Sequence, residues 1–321
     1  MRVLQNTSDK AVVGVAFDAA GRTLFAGGFG GFQARPLRGK AAPRVVEHPG
    51  GKTLYGFEPD AAGKHLFVSN SNSGFRAYHL PTGRVGRFPD DADDQHVVSL
   101  SARPGGSHVA VSRGGGSYNR TECWAVAPDG RFAPVWRLGD GAVTTDTGPV
   151  YLGQYRHFTD AVRYSPDGRT LAVVMNRSTK PNGPHALTLR AADTGDVLGE
   201  IGTLPITVGF DMRFTPDGSR LVGWDSSWLE VWDVAAGKRV GRVVPTGRAL
   251  FNALAVHPSG RTLATVANDG KVRTWDVETL AETAATVLGV GKLHAVAFHP
   301  KSRTGAAGGD GGKVVLWDAD D

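Results

Sequence analysis

The chain has 321 residues, a net charge of +5, 40% hydrophobic residues, 44 Gly and one Cys, with a pI near 9.4. No apolar run is long enough to span a bilayer, and no window keeps apolar residues at helical spacing, which argues against a helical membrane protein and a helix bundle. The lone Cys123 excludes an intramolecular disulfide or a cysteine-built metal site, and MRVLQNTSDK lacks an apolar leader core, so the expected address is cytoplasmic.

From the N-terminus onward one short phrase recurs. It reads VAFDAAGRTLFA (15–26), GFEPDAAGKHLFV (56–68), LSARPGGSHVAV (100–111) and VRYSPDGRTLAV (162–173). It continues as MRFTPDGSRLVG (212–223), LAVHPSGRTLAT (254–265) and VAFHPKSRTGAA (296–307). In each copy an apolar run meets a Pro/Asp/Gly turn and resumes, which is a hairpin signal: Pro presets φ and Gly accepts positive φ. The turn glycines Gly21, Gly63, Gly106, Gly168, Gly218 and Gly260 stand 42, 43, 62, 50 and 42 residues apart, and a further 42 reaches Ser302. A third strand follows, clearest as LEVWDV (229–234), VRTWDV (272–277) and VVLWD (314–318), and then a weaker fourth such as RVGRVV (239–244). A period of about 40–45 residues carrying a Trp-Asp pair predicts one propeller blade per copy.

On these residues the chain resembles the WD40 repeat family over essentially its whole length. The resemblance rests on the turn phrase, on Trp232-Asp233, Trp275-Asp276 and Trp317-Asp318, and on the Asp269-Gly270 turn. The chain departs from the pattern where Trp124 is followed by Ala125, where Arg190 takes the Trp place in copy four, and where Asp310 comes one residue earlier than Asp269 does. No Gly-His pair precedes a first strand. The resemblance implies an all-β, seven-bladed β-propeller spanning residues 1–321 as one domain, with a partial polar network that is fullest in copy six at Thr265, Asp269 and Trp275. Trp232, Asp233, Thr265, Asp269, Trp275, Asp276, Trp317 and Asp318 are accordingly expected to be structural, since a buried indole N–H needs an acceptor.

Copy seven ends at WDADD, too soon for a fourth strand. Shifting Phe17 onto Val256 places Leu4 on Val243, inside the fourth strand of copy five. Residues 2–5 are therefore predicted to supply the last strand of blade 7 and close the ring, removing a sheet edge.

The two long intervals fall in copies three and four. They hold about four and eight extra residues between second and third strands, and about sixteen more after Trp124, mostly in 139–157. In this strand order all three insertions leave from one face, and long loops on a rigid ring are where binding residues concentrate. They bring Arg113, Tyr118, Asn119, Arg120, Asp146, Tyr151, Tyr155, Arg156, His157, Arg177, Lys180 and His185. Tyr and Arg are enriched at binding hot spots. The expected partner-binding set is Arg113, Tyr118, Arg120, Tyr151, Tyr155, Arg156, His157, Arg177 and Lys180, joined by Phe210, Asn252 and His294 at the channel mouth.

Other motifs carry less. His257 and His299 precede Pro where copies four and five have Ser165 and Thr215, a turn position on the opposite face. Gly50-Gly51-Lys52-Thr53 lacks the upstream Gly of a phosphate loop. The channel-mouth positions read Val13, Thr53, Val98, Asp160, Phe210, Asn252 and His294. Asp160, Asn252 and His294, with Asp211 beside them, define an alternative, a metal-assisted hydrolase resembling propeller lactonases. A nucleic-acid role is disfavoured because Arg22, Lys64, Arg131, Arg169 and Arg261 follow turn glycines and read as dispersed round the ring. The expected function is a non-catalytic, cofactor-free monomer that acts as a scaffold for a protein or peptide partner.

Overall fold

The computed structural model describes residues 1–6, 8–48, 54–60, 62–70, 75–87, 96–114, 120–127, 129–138, 142–145, 148–151, 161–176, 185–204 and 211–319. Seven four-stranded antiparallel sheets and one two-stranded hairpin account for its strands. Six sheets are simple meanders in chain order. Blade 1 comprises Val12–Phe17, Thr23–Gly28, Gly31–Pro36 and Arg44–Glu47, and blade 2 comprises Leu54–Pro59, His65–Asn70, Phe75–His79 and Val85–Arg87. Blade 3 follows with His96–Ala102, His108–Gly114, Arg120–Val126 and Phe132–Leu138, and blade 4 with Val162–Tyr164, Thr170–Asn176, His185–Ala191 and Val197–Leu204. Blade 5 is Asp211–Phe214, Arg220–Trp224, Leu229–Asp233 and Lys238–Val243, and blade 6 is Phe251–Val256, Thr262–Ala267, Lys271–Asp276 and Glu282–Val287.

Blade 7 is built from both ends of the chain. Leu293–Phe298, Thr304–Gly309 and Lys313–Asp318 are completed by Arg2–Gln5, with Val3 opposite Val315 and Leu4 opposite Val314. The ring closes as the repeat arithmetic requires. Only Leu4 of the four closing residues is buried, and it packs with Val12, Val15, Phe17 and Leu24 of blade 1 and with Ala306 and Val314 of blade 7.

The core lies between neighbouring blades, because each sheet has two apolar faces. Trp124, Trp232, Trp275 and Trp317 share one register, opposite Val109, Leu221, Leu263 and Gly305. Each packs against the preceding blade: Trp232 meets Leu187 and Ile201, Trp275 meets Trp224 and Val231, and Trp124 meets Phe67 and Ala77. The Trp275 indole N–H donates to Thr265 Oγ1 at 2.9 Å. Asp269 stands apart from that pair, because its carboxylate is taken by Arg273 at 2.6 Å. The Asp of the Trp-Asp pair holds the next turn. Asp276 Oδ1 accepts the backbone N–H of Thr279 (2.7 Å) and of Glu278 (3.1 Å), and Asp233 accepts from Ala236 N–H (2.8 Å) and Arg220 (2.6 Å).

Three details correct the sequence reading. In copy three the positive-φ residue is Gly105 (φ 67), because Pro104 at the second place of that turn and Gly105 at the third make a type II turn in which only the third place is left-handed. In blade 2 the place corresponding to Val13, Asn252 and His294 is Tyr55, since the strand carries its bulge between Leu54 and Gly56; Thr53 lies outside the described residues. The longest insertion also contains a hairpin, Ala142–Thr145 paired with Gly148–Tyr151.

Candidate partner-binding face

The meander fixes which connections share a face. Turns joining first to second and third to fourth strands lie on one side, here called the turn face. Connections from second to third strand, and from each blade to the next, lie on the other, the loop face. The strand ends flanking all three insertions, Gly114 and Arg120, Leu138 and Val162, and Asn176 and His185, therefore belong to the loop face of blades 3 and 4.

The candidate residues do not all stand alike there. Arg113 is buried, and its Nε lies 3.2 Å from Glu122 Oε2. His185 is buried too. Both serve the inside of their blades. Arg120 and Tyr151 are placed by their backbone in strands. Tyr118, Asn119, Asp146, Tyr155, Arg156, His157, Asp160, Arg177, Lys180 and Phe210 lie outside the described residues.

Asn252 and His294 are the bulged residues of their first strands, skipped in pairing with the second. A bulge leaves one residue unpaired and aims it away from the ladder. The Asn252 amide donates to Leu293 O at 2.7 Å, tying blade 6 to blade 7, and His294 Nε2 lies 2.8 Å from Asp310 Oδ1. The His294 hydrogen bond holds the Asp310 carboxyl below its ordinary range against the effect of burial. Asn252 and His294 of the metal alternative are thus engaged with protein groups, while its third ligand, Asp160, lies outside the described residues. Among the described residues no group of three His, Cys, Asp or Glu side chains could hold a metal ion.

Asp211, the possible fourth ligand, belongs to an ion cluster instead. Arg163 Nη1 reaches Glu58 Oε2 and its Nη2 reaches Asp211 Oδ1, each at 3.0 Å, while Arg213 Nη1 meets Asp211 Oδ2 at 2.7 Å. Burial opposes the charge on Asp211, but Arg213 and Arg163 pull its carboxyl below the usual range. The cluster joins the first strands of blades 2, 4 and 5. Repeat alignment could have found it: one residue before the end of each first strand the chain reads Ala16, Glu58, Ser101, Arg163, Arg213, Ala255 and Ala297.

The sequence reading also missed exposed apolar residues on the loop face. Phe29 lies in the blade 1 connection with Lys10 Nζ 5.4 Å from its ring centre, and Val244, Leu250 and Val287 flank the exits of blades 5 and 6. Their signal is an apolar residue at or just outside a strand end.

His257 and His299 are turn residues, as expected. His299 Nδ1 accepts from Lys301 N–H (3.0 Å), and Nε2–H donates to Gly21 O (2.8 Å) across the blade 7–blade 1 seam. One argument needs correction. Arg22, Lys64, Arg131, Arg169 and Arg261 all follow turns of the same face, so topology gathers them rather than scattering them. Acids are interleaved with the bases of that face: Arg131 pairs with Asp129, Arg103 with Asp193, and Arg220 with Asp233 and Glu278. That mixture gives no single-sign field for a phosphate backbone.

Comparison with known proteins agrees with this geometry. Residues 245–276 match the family described as WD domain, G-beta repeat. The β-propeller domain of Cps50 (Swd1) from Myceliophteria thermophila superposes with a TM-score of 0.72 at 16% identity, covering 98% of each chain. No curated protein sequence matches. The chain is a seven-bladed β-propeller. Among the described residues no helix is long and apolar enough to cross a membrane.

Proposed function

We propose that the propeller is a non-catalytic platform for a protein or peptide partner, which docks on the loop face over blades 3 and 4. The observation that carries this reading is topological. Insertions in two successive blades leave and return on one face of a closed ring, and elsewhere second and third strands are joined by short connections. Loops held by a rigid scaffold are where recognition residues concentrate. The WD40-type fold favours the same reading by analogy only, since one fold hosts many functions. Arg120, Tyr155, Arg156 and Arg177 are assigned most of the binding energy, with Tyr118, Tyr151, His157, Lys180 and Phe210 around them and Asn252 and His294 at the rim. Arg113 serves blade 3 rather than the partner. The test replaces those four residues with Ala and compares affinity capture from extract with that of the wild-type protein. Loss of the captured partner with an unchanged melting curve supports the assignment. Equal capture places the interface elsewhere.

A further inference from the structure

Blade 2 departs from the repeat at one corner of the turn face. Where the second strand begins and the third ends, two residues stand directly opposite each other, with their side chains on the same side of the sheet. The pair is Thr262 and Asp276 in blade 6, Thr304 and Asp318 in blade 7, and Arg220 and Asp233 in blade 5. In blade 2 it is His65 and His79. Asp60 joins them from the turn between the first and second strands. Its N–H donates to His65 O at 2.9 Å, and its Oδ2 lies 3.0 Å from His65 Nδ1. Two imidazoles and a carboxylate thus share one corner.

The hydrogen bonds at this corner leave a nitrogen to spare on each ring. A carboxylate only accepts, so His65 Nδ1 carries the proton of its bond to Asp60, and in the neutral ring Nε2 keeps its lone pair. His65 is 6% exposed, and its Nε2 is buried without a hydrogen-bond partner. Leaving a buried polar atom unpaired is costly, and each such exception calls for a missing partner. The His79 ring lies 5.2 Å from the His65 ring, centre to centre, tilted by 54°. Its Nδ1 is 2.7 Å from Thr82 Oγ1, which can accept the Nδ1 proton and leave Nε2 unprotonated. Phe67 stacks on His65 at 6.0 Å and holds that ring in place. An imidazole that gives its other N–H to a carboxylate is the usual form of a metal-ligating histidine.

We propose that His65 Nε2 and His79 Nε2 together bind one divalent ion of borderline softness: zinc, nickel or copper. Two imidazoles on one zinc ion, each at ~2.0–2.1 Å, bring their ring centres to roughly 5 Å apart, and the spacing of these two rings agrees with that. Imidazole nitrogens select such ions over magnesium and calcium, which prefer oxygen. Asp60 orients His65 and does not ligate. The ion therefore has two protein donors and completes its shell with water on the side of His79, which is half-buried. A pair of this kind is compatible with the lack of any three-ligand group among the described residues. The site lies on the turn face of blade 2 and does not rest on the loop-face reading.

The test uses the full chain, stripped with a chelator and titrated with zinc chloride in a calorimeter. His79→Ala should weaken zinc binding by about tenfold or more while the variant stays folded by circular dichroism. His108→Ala removes the blade 3 counterpart of His65, which stands opposite Ala125, and should leave zinc binding unchanged. Excess zinc should raise the melting temperature of the wild-type protein and not that of His79→Ala. Electron paramagnetic resonance of the copper-loaded wild-type protein reads the ligands without any mutation, and it should show coupling to two imidazole nitrogens. Undiminished zinc binding by His79→Ala overturns the site, as does an equal loss in His108→Ala. Coupling to a single nitrogen overturns the shared ligation. Magnesium binding as tight as that of zinc overturns the imidazole assignment.

Discussion

The closing strand offers a sharp test because its adjacent residues face opposite ways. Leu4 is 7% exposed and inserted between blades 7 and 1, whereas Val3 is 51% exposed. Leu→Ala in a core costs about 2–5 kcal/mol, and a strand at the outer edge can relax, so Leu4→Ala should sit near the lower end at about 2 kcal/mol. For a chain of this length that lowers Tm by about 3 °C, while Val3→Ala should shift it by less than about 1 °C. Deleting residues 1–6 also removes the ladder to Lys313–Asp318, the Asn6 N–H to Gly312 O bond (2.7 Å) and the Gln5 Nε2 to Gly311 O bond (2.8 Å). Freed chain entropy of about 1–2 kcal/mol per residue offsets part of that loss. The deletion should still melt below Leu4→Ala, and it should aggregate through the newly open edge of blade 7. Differential scanning calorimetry of the three variants decides the matter. Equal shifts for Leu4→Ala and Val3→Ala, or an unchanged curve for the deletion, would refute the seam as described.

Two further outcomes follow from buried charge. Glu122 is 1% exposed and faces Arg113, Arg137 (2.7 Å) and the Trp124 indole N–H (3.1 Å), so Glu122→Gln should cost about 3–5 kcal/mol in urea unfolding. Glu230→Gln, at the same register but facing the more exposed Arg239 and Arg242, should cost less, and the reverse order would contradict the burial argument. Asp60 is buried; burial raises its pKa, but hydrogen bonds from His65 and Lys64 win and hold it below the ordinary value. A depressed carboxyl contributes stability that is complete above its unfolded pKa and vanishes as pH falls through the lower folded one. The stability gap between wild type and Asp60→Asn should be full at about pH 6 and shrink as acid titrates the folded-state carboxyl, and a gap independent of pH would exclude this linkage.

Much of the ring was legible because repetition makes register visible. The Pro/Asp/Gly turn phrase fixed the hairpins, and counting back from the shortened copy seven located Leu4 in the last blade. Contacts that join non-equivalent positions were less legible. Nothing local to Arg213 announces Asp211 as its partner and Arg163's, since Asp211 lies off the shared position, and Arg113 reads as a surface cation until its strand partner Arg120 and the nearby Glu122 are placed. The same limit explains the turn-face error. Arg22 and Arg261 are far apart in sequence, and only the shared direction of their hairpins puts them on one side.

The three blades without a Trp at the shared register meet that loss in different ways. In blade 4, Arg190 donates to Gly195 O (2.8 Å), and Trp136 of blade 3 swings over the seam to donate its indole N–H to Ala192 O (2.9 Å). A neighbour thus supplies the missing bulk. In blade 1, Arg35 donates to Gln5 O (2.9 Å), so a polar side chain there helps hold the closing strand, while Leu37 and Leu316 cover the apolar seam. In blade 2 another aromatic ring takes the place: Tyr78 is 2% exposed, packs with Phe25, Phe32 and Leu66, and its hydroxyl lies 2.7 Å from His48 Nδ1. A repeat protein drifts most cheaply where a neighbour can compensate.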